Sequence, residues 1–287
     1  MAGLRTIDCN KMNQVILLTG GSSGIGAATA ILLAQEGNHV YAGSRSGRLP
    51  EGLNLESMAS CRGFVRAIAL DVNDASSLQS AVESICHEEG RLDVLVCNAG
   101  NGIAGAIEET DEAEAKYQFE TCFFGAVKSI QACLPTFRAQ GHGKIITVTS
   151  VAAVIPLPYQ AFYSAVKAAL LSLTQSLQLE LKPYHIQCCS ILPGDTKTGF
   201  TAARKYTKAA SLSDSPYHKA MMASVQKMEK DEQNGMSPLV IARAIARQVR
   251  RRRMSISVTP RIDYWAIGLL VRLLPRRLVL WIVGLLY

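Results

Sequence analysis

The strongest constraint on this chain is the run Thr19-Gly20-Gly21-Ser22-Ser23-Gly24-Ile25-Gly26. It lies between a short apolar stretch, Val15–Thr19, and a segment of helical spacing, Ile25–Gln35, that stops at Gly37. Three glycines in this setting have separable uses: Gly20 permits a tight turn, Gly24 lets backbone approach a phosphate closely, and Gly26 lets helix and strand pack together. The helix that opens there presents free N–H groups and a partial positive charge, an anion site made of backbone. The spacing G-x3-G-x-G differs from the commoner G-x-G-x2-G, and a glycine-rich turn that serves packing alone is the plainer alternative.

Downstream, apolar runs without polar alternation recur between helix-spaced segments. Strands are expected at His39–Gly43, Phe64–Leu70, Leu92–Cys97, Lys144–Thr149, His185–Leu192 and Met254–Thr259. Helices are expected at Ser76–Glu88, Glu112–Ala139, Ala161–Lys182 and Pro238–Arg252. Strands that are apolar throughout suit a parallel sheet covered on both faces, and the alternation implies right-handed crossovers. The expected fold is α/β: a doubly wound parallel (Rossmann) sheet of about seven strands. Residues 1–12 read as a polar lead-in, with no signal-type apolar segment before Met12, and 13–260 as the catalytic domain. Residues 196–235, polar and weakly periodic, read as a lid over a site, and 261–287 as an apolar, Arg-rich helical extension.

The net charge of +7 is concentrated at one end. Residues 236–287 carry ten Arg and one acid, Asp263, for +9, whereas residues 1–235 carry 20 basic and 22 acidic groups, for −2. The Arg residues alternate with aliphatic runs and lack interleaved stacking aromatics on a recognition fold, which argues against a nucleic-acid partner. Eight Cys without a C-x-x-C pair, and five His without zinc-finger spacing, argue against a structural metal and a disulfide scaffold. The thiols are expected to be reduced and mostly buried, in a cytoplasmic protein.

Taken together, the motifs resemble those of the short-chain dehydrogenase/reductase family, in the order found there and over about residues 13–260. The resemblance implies an alcohol/carbonyl oxidoreductase that uses a nicotinamide dinucleotide and assembles as a homodimer or homotetramer. Its cofactor contacts would come from Gly20, Ser22, Ser23, Gly24 and Ile25 in the turn, Asp71 and Val72 after the third strand, and Asn98 and Gly100 in Cys97-Asn98-Ala99-Gly100. Pro193, Thr196 and Thr198 after the sixth strand would complete the set. Where NAD-preferring members carry Asp at the end of the second strand, this chain has Ser44 followed by Arg45. A carboxylate would repel a 2′-phosphate and Arg grips one, so NADP(H) is the expected cofactor. A solvated loop charge for Arg45 and a helix cap for Asp71 are the bland alternatives.

Tyr163 and Lys167, four apart on one helix face, would form the catalytic pair, with Ser150 thirteen residues before Tyr163 as the matching family serine. An ordinary Tyr ionises about three units above neutral, roughly 4 kcal/mol, and a cation at about 4 Å in a dielectric near 20 is worth roughly the same. Lys167 is therefore of the right size to make Tyr163 an acid/base, and in the family it also binds the nicotinamide ribose. One position departs: Cys122 stands where the family usually has an Asn that orders a water beside the Lys, which implies slower proton resupply or a mere space-filling thiol. Val151–Tyr159, almost wholly apolar, would line the substrate wall, and Met221, Met222 and Met228 would add an adaptable lid face. A large apolar alcohol or ketone, of steroid, retinoid or lipid type, is the expected substrate, with resemblance to hydroxysteroid and retinol dehydrogenase branches. The tail's apolar runs are shorter than the ~20 residues needed to span a bilayer, which leaves contact with an anionic membrane surface and packing on a subunit or lid both open.

Overall fold

The computed structural model describes residues 13–54 and 61–287; the expected lead-in and Cys9 lie outside the described residues. Seven strands form one sheet: β1 (Val15–Thr19), β2 (His39–Ser44), β3 (Phe64–Ala69), β4 (Val94–Cys97), β6 (Gly143–Val148), β7 (Ile186–Ile191) and β9 (Ser257–Val258). Their order is β3-β2-β1-β4-β6-β7-β9, and every pairing is parallel. The order reverses between β1 and β4, which opens a crevice at the carboxyl ends of the strands, where open α/β sheets bind ligands. A second pair, β5 (Ile103–Ala104) with β8 (Lys205–Tyr206), is also parallel and ties the lid to the body.

Side-chain period explains why the apolar runs make this sheet. In β1 all five residues are buried; Val15 and Leu17 enter one core, Ile16 and Leu18 the other. The first core packs against α2 (Ala75–Glu89), α4 (Gly125–Gln140) and α5 (Ala161–Glu180). The second packs against α1 (Gly24–Gln35) and α8 (Pro238–Arg250). Local signals set the helix ends. Asp74 accepts from Ser76 N at 2.9 Å and Gly90 stops α2 at φ +71°, while Asp111 and Glu114 form a reciprocal box on α3 (Glu112–Phe119).

Three expectations are corrected. The single long helix over Glu112–Ala139 is two helices joined by a π turn, Glu120–Phe124, which widens the helix where Cys122 faces the sheet crevice. The weakly periodic excursion holds a short helix, α6 (Phe200–Ala203), and a full one, α7 (His218–Gln233), which buries Met221, Ser224, Val225 and Met228. The last strand is only two residues long rather than Met254–Thr259. Beyond it the tail folds into two helices, α9 (Ile262–Leu273) and α10 (Arg276–Leu286), broken at Leu274–Pro275.

Candidate active site

One cavity of about 980 Å³ runs along the carboxyl ends of the strands. It extends from Ser44, Arg45 and Asp71 past Ser150, Tyr163 and Lys167 to the tail helices. Every residue expected to touch cofactor or substrate carbonyl lines it: Gly20, Ser22, Ser23, Gly24, Ile25, Arg45, Asp71, Val72, Asn98, Gly100, Ser150, Tyr163, Lys167, Pro193, Thr196 and Thr198.

The glycine turn is held in its open shape by contacts that a side chain would break. A Cβ on Gly26 would stand 2.0 Å from the Gly20 carbonyl oxygen, and Gly20 and Gly24 adopt φ of +68° and +53°. Asn98 Nδ2 donates to Gly20 O at 2.9 Å and Thr19 O at 3.2 Å, clamping the β4 loop onto the turn. Ser23, at the N-cap of α1, makes no side-chain cap bond, so the helix keeps its first N–H groups for the cavity. At the end of β2, Ser44 Oγ lies 3.3 Å from Ser46 Oγ with Arg45 exposed between them, so the strand itself ends without a carboxylate. Asp71 does not cap a helix: its Oδ1 accepts from Asn73 N at 3.0 Å, and Asp74 is the cap of α2. These groups, a backbone donor cradle followed by the Ser44–Arg45 edge, fit a nicotinamide dinucleotide.

Tyr163 and Lys167 share the face of α5 expected from their spacing, with Lys167 Nζ 5.7 Å from the Tyr163 ring centre. Lys167 Nζ donates to Val148 O, at the end of β6, at 3.0 Å, and burial pulls its ammonium below its usual range. Burial pushes the Tyr163 phenol well up, and a hydrogen bond with Ser150 works against that. The phenol is therefore governed first by desolvation rather than by the lysine charge, which keeps it protonated near neutral pH. Ser150 sits in extended backbone after β6, its Oγ accepting from Ala152 N at 3.1 Å.

The position of Cys122 is more polar than a space-filling thiol requires. Gln118, one turn earlier and fully buried, donates from Nε2 to Cys122 Sγ at 3.2 Å, to Asn101 O at 2.9 Å and to Asn101 Oδ1 at 3.1 Å. Its Oε1 accepts from Ile103 N at 2.8 Å. Two carboxamides thus surround Cys122, where the usual Asn is missing. Neither Gln118 nor Asn101 was legible beforehand, because their meeting depends on the π turn and on the loop after β4.

On the substrate side, Val151, Ala152, Ile155 and Leu157 line the cavity as expected from the apolar wall, whereas Tyr159 packs in the lid with Met221 and Met222. Of the three lid methionines only Met228 reaches the cavity. Phe200, whose ring centre is 5.8 Å from that of Tyr163, and the acids Asp195 and Glu232 also line the cavity, although no motif marks them in the sequence. Asp195 Oδ2 accepts from Tyr264 OH at 2.6 Å. Glu232 and Glu229 flank the buried Arg204 and hold the lid's own segments together, with Thr201 Oγ1 donating to Glu232 at 2.6 Å and Tyr206 OH to Glu229 at 2.9 Å. The tail helices add an apolar wall through Ile267, Leu270, Val279 and Val283, a role that their hydrophobicity alone did not reveal.

Comparison with known proteins agrees with this geometry. A family profile described as short chain dehydrogenase matches residues 14–209. The chain is 40% identical over 239 residues to 3-ketodihydrosphingosine reductase of Bacteroides thetaiotaomicron, covering 83% of this chain and 84% of that protein. It is 36% identical over 193 residues to human 17-beta-hydroxysteroid dehydrogenase type 1, covering 65% and 58%. Among solved structures, a short-chain dehydrogenase from Streptomyces avermitilis superposes with a TM-score of 0.75 at 26% identity, over 92% of this chain and 93% of that one. The profile match and the 40%-identical relative, covered over most of both chains, show that the chain belongs to the short-chain dehydrogenase/reductase family of oxidoreductases.

Proposed function

We propose that the protein is an NADP(H)-dependent oxidoreductase that interconverts a ketone or aldehyde and an alcohol on a large apolar, lipid-like substrate. The observation that carries this reading is the single cavity that joins the Ser44–Arg45 end of β2, the Ser150–Tyr163–Lys167 group and an apolar wall built partly by the tail. In it, Gly20, Ser22, Ser23, Gly24 and Ile25 hold the pyrophosphate and Arg45 the 2′-phosphate. Asp71 and Val72 hold the adenine, Asn98, Gly100 and Lys167 the nicotinamide ribose, and Pro193, Thr196 and Thr198 the carboxamide. The bound nicotinamide supplies or accepts the hydride. Ser150 hydrogen-bonds the substrate oxygen, and Tyr163 gives it a proton during reduction or removes one during oxidation. The Bacteroides relative is named for a long-chain keto lipid, which supports a keto lipid over a steroid for this cavity. Assembly as a homodimer or homotetramer belongs to the same reading and is checked by the mass in solution.

The test is NADPH consumption with a panel of long-chain ketones, comparing the unmodified chain with Tyr163→Phe. Loss of the phenolic proton should lower kcat by about 10²–10⁴-fold with NADPH binding retained; intact turnover sinks the assignment. The departure at Cys122 favours one second reading, a catalytically weak NADP-sensing protein. NADPH binding without consumption of any carbonyl in the panel would support that alternative.

A further inference from the structure

The tail helices carry an apolar surface that the catalytic domain does not use. Twelve of the twenty large exposed hydrophobic side chains among the described residues fall within α9 and α10. Ile262 is 82% exposed, Leu273 71%, Leu285 67% and Trp281 62%. The pair is nevertheless anchored. The Tyr264 ring fills the space over Gly194, its hydroxyl bonds Asp195, and Val279 and Val283 are buried against the body. Patches of this extent mark a docking surface rather than ordinary exposure.

We infer that this hairpin seats the protein on an anionic bilayer surface, with the mouth of the cavity opening into the lipid. Three observations select this occupant. First, α9 and α10 are 12 and 11 residues long, about 16–18 Å each, and among the described residues no helix is long and apolar enough to cross a membrane, so the pair lies along a surface. Second, Arg272, Arg276 and Arg277 cluster at the turn between the helices, exposed and without an acidic partner among the described residues. Each helix also carries an exposed Trp, Trp265 and Trp281. Anionic headgroups complement this cluster of guanidinium groups. Third, Leu270, Ile282 and Leu286 both line the cavity and stand exposed, so the mouth lies within the apolar patch. A lipid chain can pass from bilayer to cavity without crossing water. The docking is independent of the reaction proposed above; the delivery of a lipid carbonyl rests on it.

Flotation of the full chain with phosphatidylcholine vesicles, with and without phosphatidylglycerol, tests the docking. Binding to the anionic vesicles should exceed that to neutral ones at least tenfold and weaken with added salt. It should be abolished by Leu273→Glu combined with Trp281→Glu, two positions outside the cavity lining, with NADPH affinity and oligomeric mass unchanged. Absence of flotation, equal flotation of the double variant, or a fall in its mass (a second copy covering the patch) overturns the proposal. Two new carboxylates can also disturb the hairpin itself, so brominated lipid provides an independent readout on the unmodified chain. Quenching of Trp265 and Trp281 is expected, and its absence is equally fatal. For delivery, the double variant should turn over a vesicle-borne long-chain ketone at least tenfold more slowly and a short soluble ketone at the parental rate. Parental rates on both refute delivery alone, and a parent inert toward both refutes the reaction and not the docking.

Discussion

Gln118 offers the sharpest test of how the site is held. Its side chain is wholly buried and makes four hydrogen bonds, one of them as the acceptor for Ile103 N, whose own position is buried. Gln118→Leu keeps the volume nearly constant but leaves the Ile103 N–H facing an apolar group, while Asn101 O keeps the Cys122 thiol as a donor at 3.4 Å. The orphaned backbone N–H sets an expected loss of about 1–3 kcal/mol. The damage should not stop at stability. Asn101 N also donates to Cys122 Sγ at 3.3 Å, and a Cβ on Gly100 would lie 3.5 Å from that sulfur and 3.9 Å from Lys167 Nζ. The loop after β4 is thus pinned beside the lysine through Gln118, and its release should raise the KM for the dinucleotide as well as lower kcat. Denaturant unfolding, read together with steady-state kinetics, makes the comparison, with Cys122→Ser as a milder control that preserves a polar partner. A loss below 1 kcal/mol with unchanged kinetics would refute the reasoning, since it would mean that these buried bonds hold nothing.

Other outcomes follow from the same geometry. Ser44→Asp introduces a carboxylate beside Arg45 at the edge where a 2′-phosphate is proposed; at about 5 Å and a dielectric near 20 the repulsion is worth roughly 3 kcal/mol, so the ratio of NADPH to NADH affinity should fall by about 100-fold in fluorescence titration. Gly26→Ala drives a Cβ to 2.0 Å from Gly20 O and should cost about 3 kcal/mol or more, seen as a lowered Tm and lost dinucleotide binding. Burial pushes the thiols of Cys97, Cys188 and Cys189 up to about 12, above their unfolded value near 9. The native state then keeps protons that the unfolded chain releases, so stability present below pH 9 is lost between pH 9 and 12, by up to about 1.4 kcal/mol per pH unit for each thiol. Unfolding free energies measured across that range check the sign. The same three thiols should resist alkylation at pH 8 until the protein is unfolded.

The fold and the reactive group were written in short-range pattern. Five consecutive buried residues in β1, a glycine turn whose conformations only glycine tolerates, and a Tyr–Lys pair one helical turn apart are properties of neighbours in sequence, which backbone geometry converts directly into strand, cradle and shared face. Ser150 and Arg45 were equally readable because strand ends place them. What lay beyond the sequence depended on contacts between distant segments. The π turn that sets Cys122 among Gln118 and Asn101 interrupts a stretch whose periodicity reads as one helix. The lid is held together internally by Arg204 and two glutamates whose spacing carries no motif, and its helix α7 hides behind a polar composition. The tail's hydrophobicity was plain, but whether it covered a neighbour or a cavity was not. That depended on Tyr264 meeting Gly194, a residue 70 positions away, and on burial of Val279 and Val283, interactions that exist only once the sheet has formed.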